Sequence, residues 1–270
     1  LDYLLEKTYL PRARERQTRK FSKKEARFFF VIVLIPVLSS ASFFLHSDTH
    51  EMGARQIKSN YVIQNLQGDV TDTWLAWNIV EERELQIQII NKAKVPNEKL
   101  DAIKNTILST KTVQIDDSLL HKGPEGSTST YYEGWKGAAM SASQKETALH
   151  IPTEFRIVDS KKGTADITIE LTSLKSGDGY SGFTKSISDE NHILLSHITI
   201  YEADKLTEQE ITAIVRHEFG HALGLAHSTA PEDLMAPTIQ TAYPYISDCD
   251  VDALYALYNG NKQSQVVCEK

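Results

Sequence analysis

Residues 217–227 read HEFGHALGLAH, three histidines in eleven residues, and no other stretch so narrows what the chain can fold into. On an α-helix, residues i and i+4 are neighbours on one face. His217 and His221 can therefore aim two imidazoles at one point. Glu218 follows the first histidine and lies near enough to hold a water bound to the same metal. Gly224 can end the helix in a left-handed conformation and turn the chain back, which brings in His227. Three His ligands leave a fourth position open for water, the catalytic pattern for zinc. Zinc acidifies that water and polarises a carbonyl. Glu218 is placed to accept the water's proton and later pass it to a leaving amine. A helix rich in histidine by chance does not match all five positions of H-E-x-x-H-x-x-G-x-x-H at once.

The helix also has a marked start. Thr207 and Glu210 are spaced as the N-cap and N3 of a capping box, with Leu206 and Ile211 at the staple positions. Ile211, Ile214, Val215, Ala222 and Leu223 supply its buried face. Upstream, TEFRIVDS (153–160) and ADITIELTS (165–173) read as alternating strands joined by a Lys-Lys-Gly turn. Residues 193–203 read as another strand, and 177–188 turn β-like after Ser181. WLAWNIV (74–80) and LQIQIIN (85–91) read as a strand or hairpin. Pro96 opens a helix with Leu100, Ile103, Ile107 and Leu108 on one face, and 131–144 reads as a second, short helix. Residues 117–130 are loop-like from Gly123 onward. Trp74, Trp77 and Trp135 read as core anchors. Strands followed by helices indicate an α+β (mixed α/β) domain, here over residues 71–262 with a C-terminal tail at 263–270.

Residues 28–45, FFFVIVLIPVLSSASFFL, are eighteen residues without a charge, which reaches the length of a membrane span. Residues 1–27 before them hold nine basic and four acidic side chains, formally +5, within a chain of net charge −7. Basic residues flanking a span stay in the cytoplasm, which puts the rest of the chain outside. The apolar run reads as a transmembrane anchor or as a signal segment whose small residues Ser39 and Ala41 precede cleavage. The two readings give a single-pass membrane protein or a secreted one. Polar residues 46–70 read as a stalk or linker. The acidic body argues against nucleic-acid binding, which needs Lys and Arg to neutralise phosphates. Cys249 and Cys268 are the two cysteines; in an exported protein they can form one disulfide, and otherwise they are free thiols.

The motif resembles that of the metzincin zinc endopeptidases, and DLMAP (233–237) places Met235 where that clan has its Met-turn. Ser228 after the third histidine, and the H-S-x5-L-M spacing, look like the matrixin branch. ADITIEL looks like a matrixin strand, and residues 246–260 look like the C-terminal helix, with Ser247 and Asp250 as its capping pair. The resemblance covers about 150–260 well, and 74–150 in element order alone. It implies a twisted, mostly parallel sheet, an active-site helix and a C-terminal helix after the Met-turn. It implies one catalytic zinc, with Met235 in a turn beneath the metal and not a ligand. It also implies an open cleft, in which an edge strand within residues 179–187 pairs with an extended peptide substrate. Pro237, with Tyr243 or Tyr245, would border the pocket for the residue after the scissile bond.

There are departures from the pattern. Ala236 stands where many matrixins have Tyr, and no cysteine precedes residue 249 to act as a propeptide switch. His192 and His197 do not match the second, structural zinc site, and the single Asp of GDGYSG is too little for a calcium loop. The expected function is a zinc-dependent endopeptidase acting on extracellular protein. The competing expectation is a non-catalytic cell-surface binding module on the same fold, whose mark would be loss of Glu218.

Overall fold

Ile167, Ile169 and Leu171 are fully buried, while Thr168 and Glu170 between them are partly exposed. This period of two fits β7 (Ile167–Leu171) as an inner strand of a seven-stranded sheet. The computed structural model describes residues 56–159 and 165–268. The basic segment 1–27, the apolar run 28–45 and the start of the expected stalk lie outside the described residues, as does the Lys-Lys-Gly turn. Among the described residues no helix is long and apolar enough to cross a membrane.

The other strands of the sheet are β1 (Ser59–Asn65), β2 (Val70–Thr71), β3 (Leu85–Asn91), β6 (Phe155–Ile157), β8 (Gly182–Asp189) and β9 (His192–Ile200). Their order is β2-β1-β8-β9-β7-β3-β6. Four of the six pairings are parallel, and the antiparallel ones are β1–β2 and β8–β9. Helices α1 (Asn97–Leu108) and α3 (Glu208–Ala222) pack on each other, and α3 packs on β8 and β9. Ile103, Ile107, Ile211, Ile214, Val215 and Phe219 are fully buried in the core they share with the sheet. The fold is mixed α/β with a mostly parallel sheet.

Several local expectations change. Residues 153–160 and 165–173 do not pair with each other; β6 and β7 flank β3, both parallel to it. Residues 74–80 make no strand. Leu75, Ala76 and Trp77 are buried at consecutive positions, so the segment runs through the core instead of alternating across a sheet. The loop-like stretch 117–130 and the start of the expected second helix supply β5 (Thr128–Tyr132), which pairs antiparallel with β4 (Thr112–Asp116). The helix itself, α2, begins later, at Trp135–Ala142. The polar segment expected as a stalk contributes β1 and β2, because β1 docks mainly by its backbone and buries only Ser59 and Ile63. The tail is docked as well. Val266 is fully buried, Cys268 is bridged to Cys249, and Ala226 and Thr229 donate to the carbonyls of Ser264 and Val266.

Helix α4 (Asp248–Tyr258) starts with a complete capping box of Ser247 and Asp250. Ser247 Oγ also reaches Asp233 Oδ2 at 2.8 Å, so two carboxylates meet at one buried hydroxyl. Burial first, and the Asp233 charge second, hold the Asp250 carboxyl well above the usual carboxylate range. A raised folded-state value means that the linked stability is full below about pH 4, the unfolded value, and is lost as pH rises through the folded value. Asp250→Asn keeps an acceptor for the Ser247 amide and removes the charge. Its urea midpoint is expected to gain on that of the unaltered chain as pH rises from 4 to 8; a constant difference would refute the coupling.

Candidate metal centre

Helix α3 carries the motif because both its ends are satisfied. Thr207 accepts from the Glu210 amide, and the Glu210 carboxylate accepts from the Thr207 amide. At the far end the Leu225 amide bonds the Gly220 carbonyl and the Gly224 amide bonds that of His221. This is the Schellman pattern, with Gly224 at φ 103°. Two other carbonyls of the helix end find distant partners. Trp77 Nε1 donates to Ala222 at 2.9 Å, and the Tyr258 hydroxyl to Leu223 at 3.1 Å. Trp135 Nε1 donates to the carbonyl of Arg216 at 2.7 Å. Trp77 and Trp135 thus anchor the core and also fix the axial position of the helix.

The turn at Gly224 brings His227 beside His217 and His221. One ring nitrogen from each of the three lies within 4.8 Å of the others. His217 Nδ1 bonds the Leu234 carbonyl and His221 Nδ1 the Leu225 carbonyl, both at 2.7 Å. A carbonyl only accepts, so both Nδ1 atoms carry the hydrogen and both Nε2 atoms present lone pairs. Those two Nε2 atoms face each other at 3.0 Å. Lone pair against lone pair is repulsive unless a cation lies between them. His227 Nε2 is buried and has no hydrogen-bond partner either. Burial pushes His217 down to about 3, and lowers His221 and His227 too, which keeps the rings neutral as metal ligation requires. Three neutral imidazoles converging on one point fit a divalent metal. His192 and His197 join no such cluster among the described residues.

Glu218 is fully buried, and Thr184 Oγ1 on β8 donates to its Oε2 at 2.6 Å. Burial raises its carboxyl to about 8, against the opposing pull of the Ser59 and Thr184 hydroxyls. Its Oε1 has no partner with hydrogen-bond geometry, an acceptor left over for a proton. Met235 is fully buried against the motif helix: a Cβ at Gly220 would lie 2.5 Å from its sulfur. The Met235 carbonyl accepts from the Ser228 amide at 2.8 Å, which ties this turn to the residue after His227.

Sequence reasoning missed four residues here. Thr184 had a visible signal, since Thr184, Ser186 and Ser188 alternate as small hydroxyls on the buried side of β8. Arg216 is buried and donates to the carbonyls of Glu133 and Pro244, which holds the chain near Tyr245. Ser59 and Tyr61 come from β1, inside the segment expected as a stalk. The expected edge strand is also corrected: β8 lies between β1 and β9, so it is not at the edge of the sheet.

Residues 135–259 match the model of the matrixin family. A segment of 52 residues is 50% identical to matrix metalloproteinase-20 of Homo sapiens, covering 18% of this chain and 11% of that protein. A segment of 89 residues is 34% identical to matrix metalloproteinase-9 of Canis lupus familiaris, covering 30% of this chain and 13% of that protein. The matches thus span only about a tenth of the length of either relative.

Proposed function

The chain carries a matrixin-like metzincin domain, and we propose that this domain is a zinc-dependent endopeptidase acting on extracellular proteins. The observation that carries the proposal is the pair of Nε2 lone pairs of His217 and His221 facing each other at 3.0 Å, with His227 beside them. His217, His221 and His227 would hold one zinc ion. When bound, it supplies a Lewis acid that acidifies a water and polarises the substrate carbonyl. Glu218 takes the water's proton on its carboxylate and returns it to the leaving amine. Thr184 fixes the rotation of that carboxylate through Oε2 and leaves Oε1 to carry the proton. Met235 and Gly220 support the metal-binding turn of the helix by packing. The intact glutamate distinguishes this reading from a binding module on the same fold.

Export is part of the proposal. It is supported by the basic residues before the apolar run 28–45 and by the paired Cys249 and Cys268.

The test is metal content together with activity. The purified chain is expected to bind about one zinc per molecule, the number for a single catalytic site. It should cleave a denatured protein and lose that activity to a chelator. Cleavage that survives complete metal removal would sink the proposal.

A further inference from the structure

The three histidines of the metal centre are not supported alike. His217 and His221 each have Nδ1 fixed by a backbone carbonyl at 2.7 Å. Among the described residues no group hydrogen-bonds the His227 ring, whose Nε2 is buried without a partner. Imidazole ligands are ordinarily oriented by a bond to their other nitrogen. The place of His227 therefore rests on its backbone.

That backbone is held by the tail that follows α4. Ala226 donates to the Ser264 carbonyl at 2.8 Å, and Thr229 donates to the Val266 carbonyl at 3.2 Å. Ser228 forms a parallel bridge with Val266. The two bonds bracket His227 on either side in sequence. The tail has few holds of its own, since Val266 is the one buried residue among 261–268 and no helix or strand is formed there. What closes it onto α4 is the bridge from Cys268 to Cys249, 19 residues earlier. Cys268 Sγ lies 4.0 Å from Ser228 Oγ and 3.6 Å from Asp233 Oδ2. Asp233 in turn accepts from the Met235 amide at 2.9 Å. The bridge thus stands between the residue after His227 and the turn that packs under the motif helix. Both cysteines are only partly buried, and disulfides open to solvent are the labile ones.

We propose that the tail 264–268, clamped by the Cys249–Cys268 bridge, positions the third metal ligand, and that opening the bridge loosens His227 and weakens the hold on the metal. The centre is then gated by redox state: it keeps zinc in an oxidising compartment and yields it in a reducing one. The step is a two-electron reduction by a dithiol. The two thiols of the reductant close to a disulfide, the Cys249–Cys268 bond breaks, and each cysteine sulfur takes one electron and one proton. This rests on the zinc reading of the site and adds a condition on it.

The test uses the full zinc-loaded chain, oxidised or reduced, and the double variant Cys249→Ser with Cys268→Ser. The reductant is a water-soluble phosphine, which takes an oxygen from water as it opens the bond. Two readouts are taken: zinc affinity by competition with a chromophoric chelator, and hydrogen exchange of the Ala226 and Thr229 amides. The double variant and the reduced chain are both expected to bind zinc roughly 10–100-fold more weakly, the range for loss of a group that orients a ligand. In both, the two amides should lose protection while those of β7 keep theirs. Reoxidation of the unaltered chain should restore both readouts, and the phosphine should change nothing in the variant, which lacks the bond. If the variant unfolds, seen as lost β7 protection, the reduced and reoxidised chain carries the test. Equal zinc affinity with the bridge open and closed overturns the clamp and leaves the endopeptidase reading standing. Weaker zinc binding with Ala226 and Thr229 still protected also overturns it, because the effect then arises elsewhere. If opening the bridge weakens zinc binding and exposes the two amides, yet the oxidised, zinc-loaded chain cleaves nothing, the clamp is supported and the endopeptidase reading fails.

Discussion

Glu218→Gln is expected to lower kcat/KM by about 10³-fold while zinc content stays at the unaltered level, because positioned general bases contribute roughly 10²–10⁴-fold. Glutamine keeps the volume and can still accept from Thr184 Oγ1, so the helix and its three histidines are undisturbed. What disappears is the acceptor at Oε1, which no protein donor satisfies. Glu218→Ala should lose as much activity. Both variants, freed of metal, should be more stable than the metal-free unaltered chain, since each removes a buried carboxyl that burial makes costly to ionise. Lower activity with higher stability is the mark of a residue kept for chemistry. The measurement is kcat/KM and zinc stoichiometry on the purified chain, with a thermal melt in chelator. A Gln variant that cleaves at the unaltered rate would remove Glu218 as the base.

Gly224→Ala is expected to have the largest effect on the folded state. The residue stands at φ 103°, and a Cβ there would run into the Leu75 carbonyl and lie 3.1 Å from Leu257. A left-handed non-glycine residue costs about 1–3 kcal/mol, and the overlap with backbone adds strain that no rotamer change relieves. The loss should be on the order of 3 kcal/mol or more, with weaker zinc binding because this turn delivers His227. Gly126 is the control. It has a similar φ of 88° and nothing within 4 Å of an added Cβ, so Gly126→Ala should cost only the backbone term and leave zinc affinity unchanged. Equal losses at the two positions, or unaltered zinc affinity at Gly224→Ala, would show that the turn does not place the third histidine.

The site was legible in the sequence to the extent that it is local. His217, His221 and Glu218 share a face through one turn of helix, and Thr207 with Glu210 marks where that helix begins. Gly224 signals the bend toward His227. These relations hold over at most 20 residues of chain and depend on backbone geometry alone. Ser247 and Asp250 capped α4 for the same reason.

What the tertiary structure alone decided is pairing across long separations. The strands around residues 155 and 167 both read as strands, yet nothing local tells whether they pair with each other or on either side of β3. Trp77 and Tyr258 reach the carbonyls at the end of α3 from 145 and 35 residues away. β1 is the sharpest case. Short and largely polar, it buries only Ser59 and Ile63 fully, and much of its hold on β8 comes from backbone hydrogen bonds that any sequence can make. The chemistry of the metal-binding helix was therefore written in its residues, while the strand that lies beside it was placed by backbone pairing across more than 100 residues of chain.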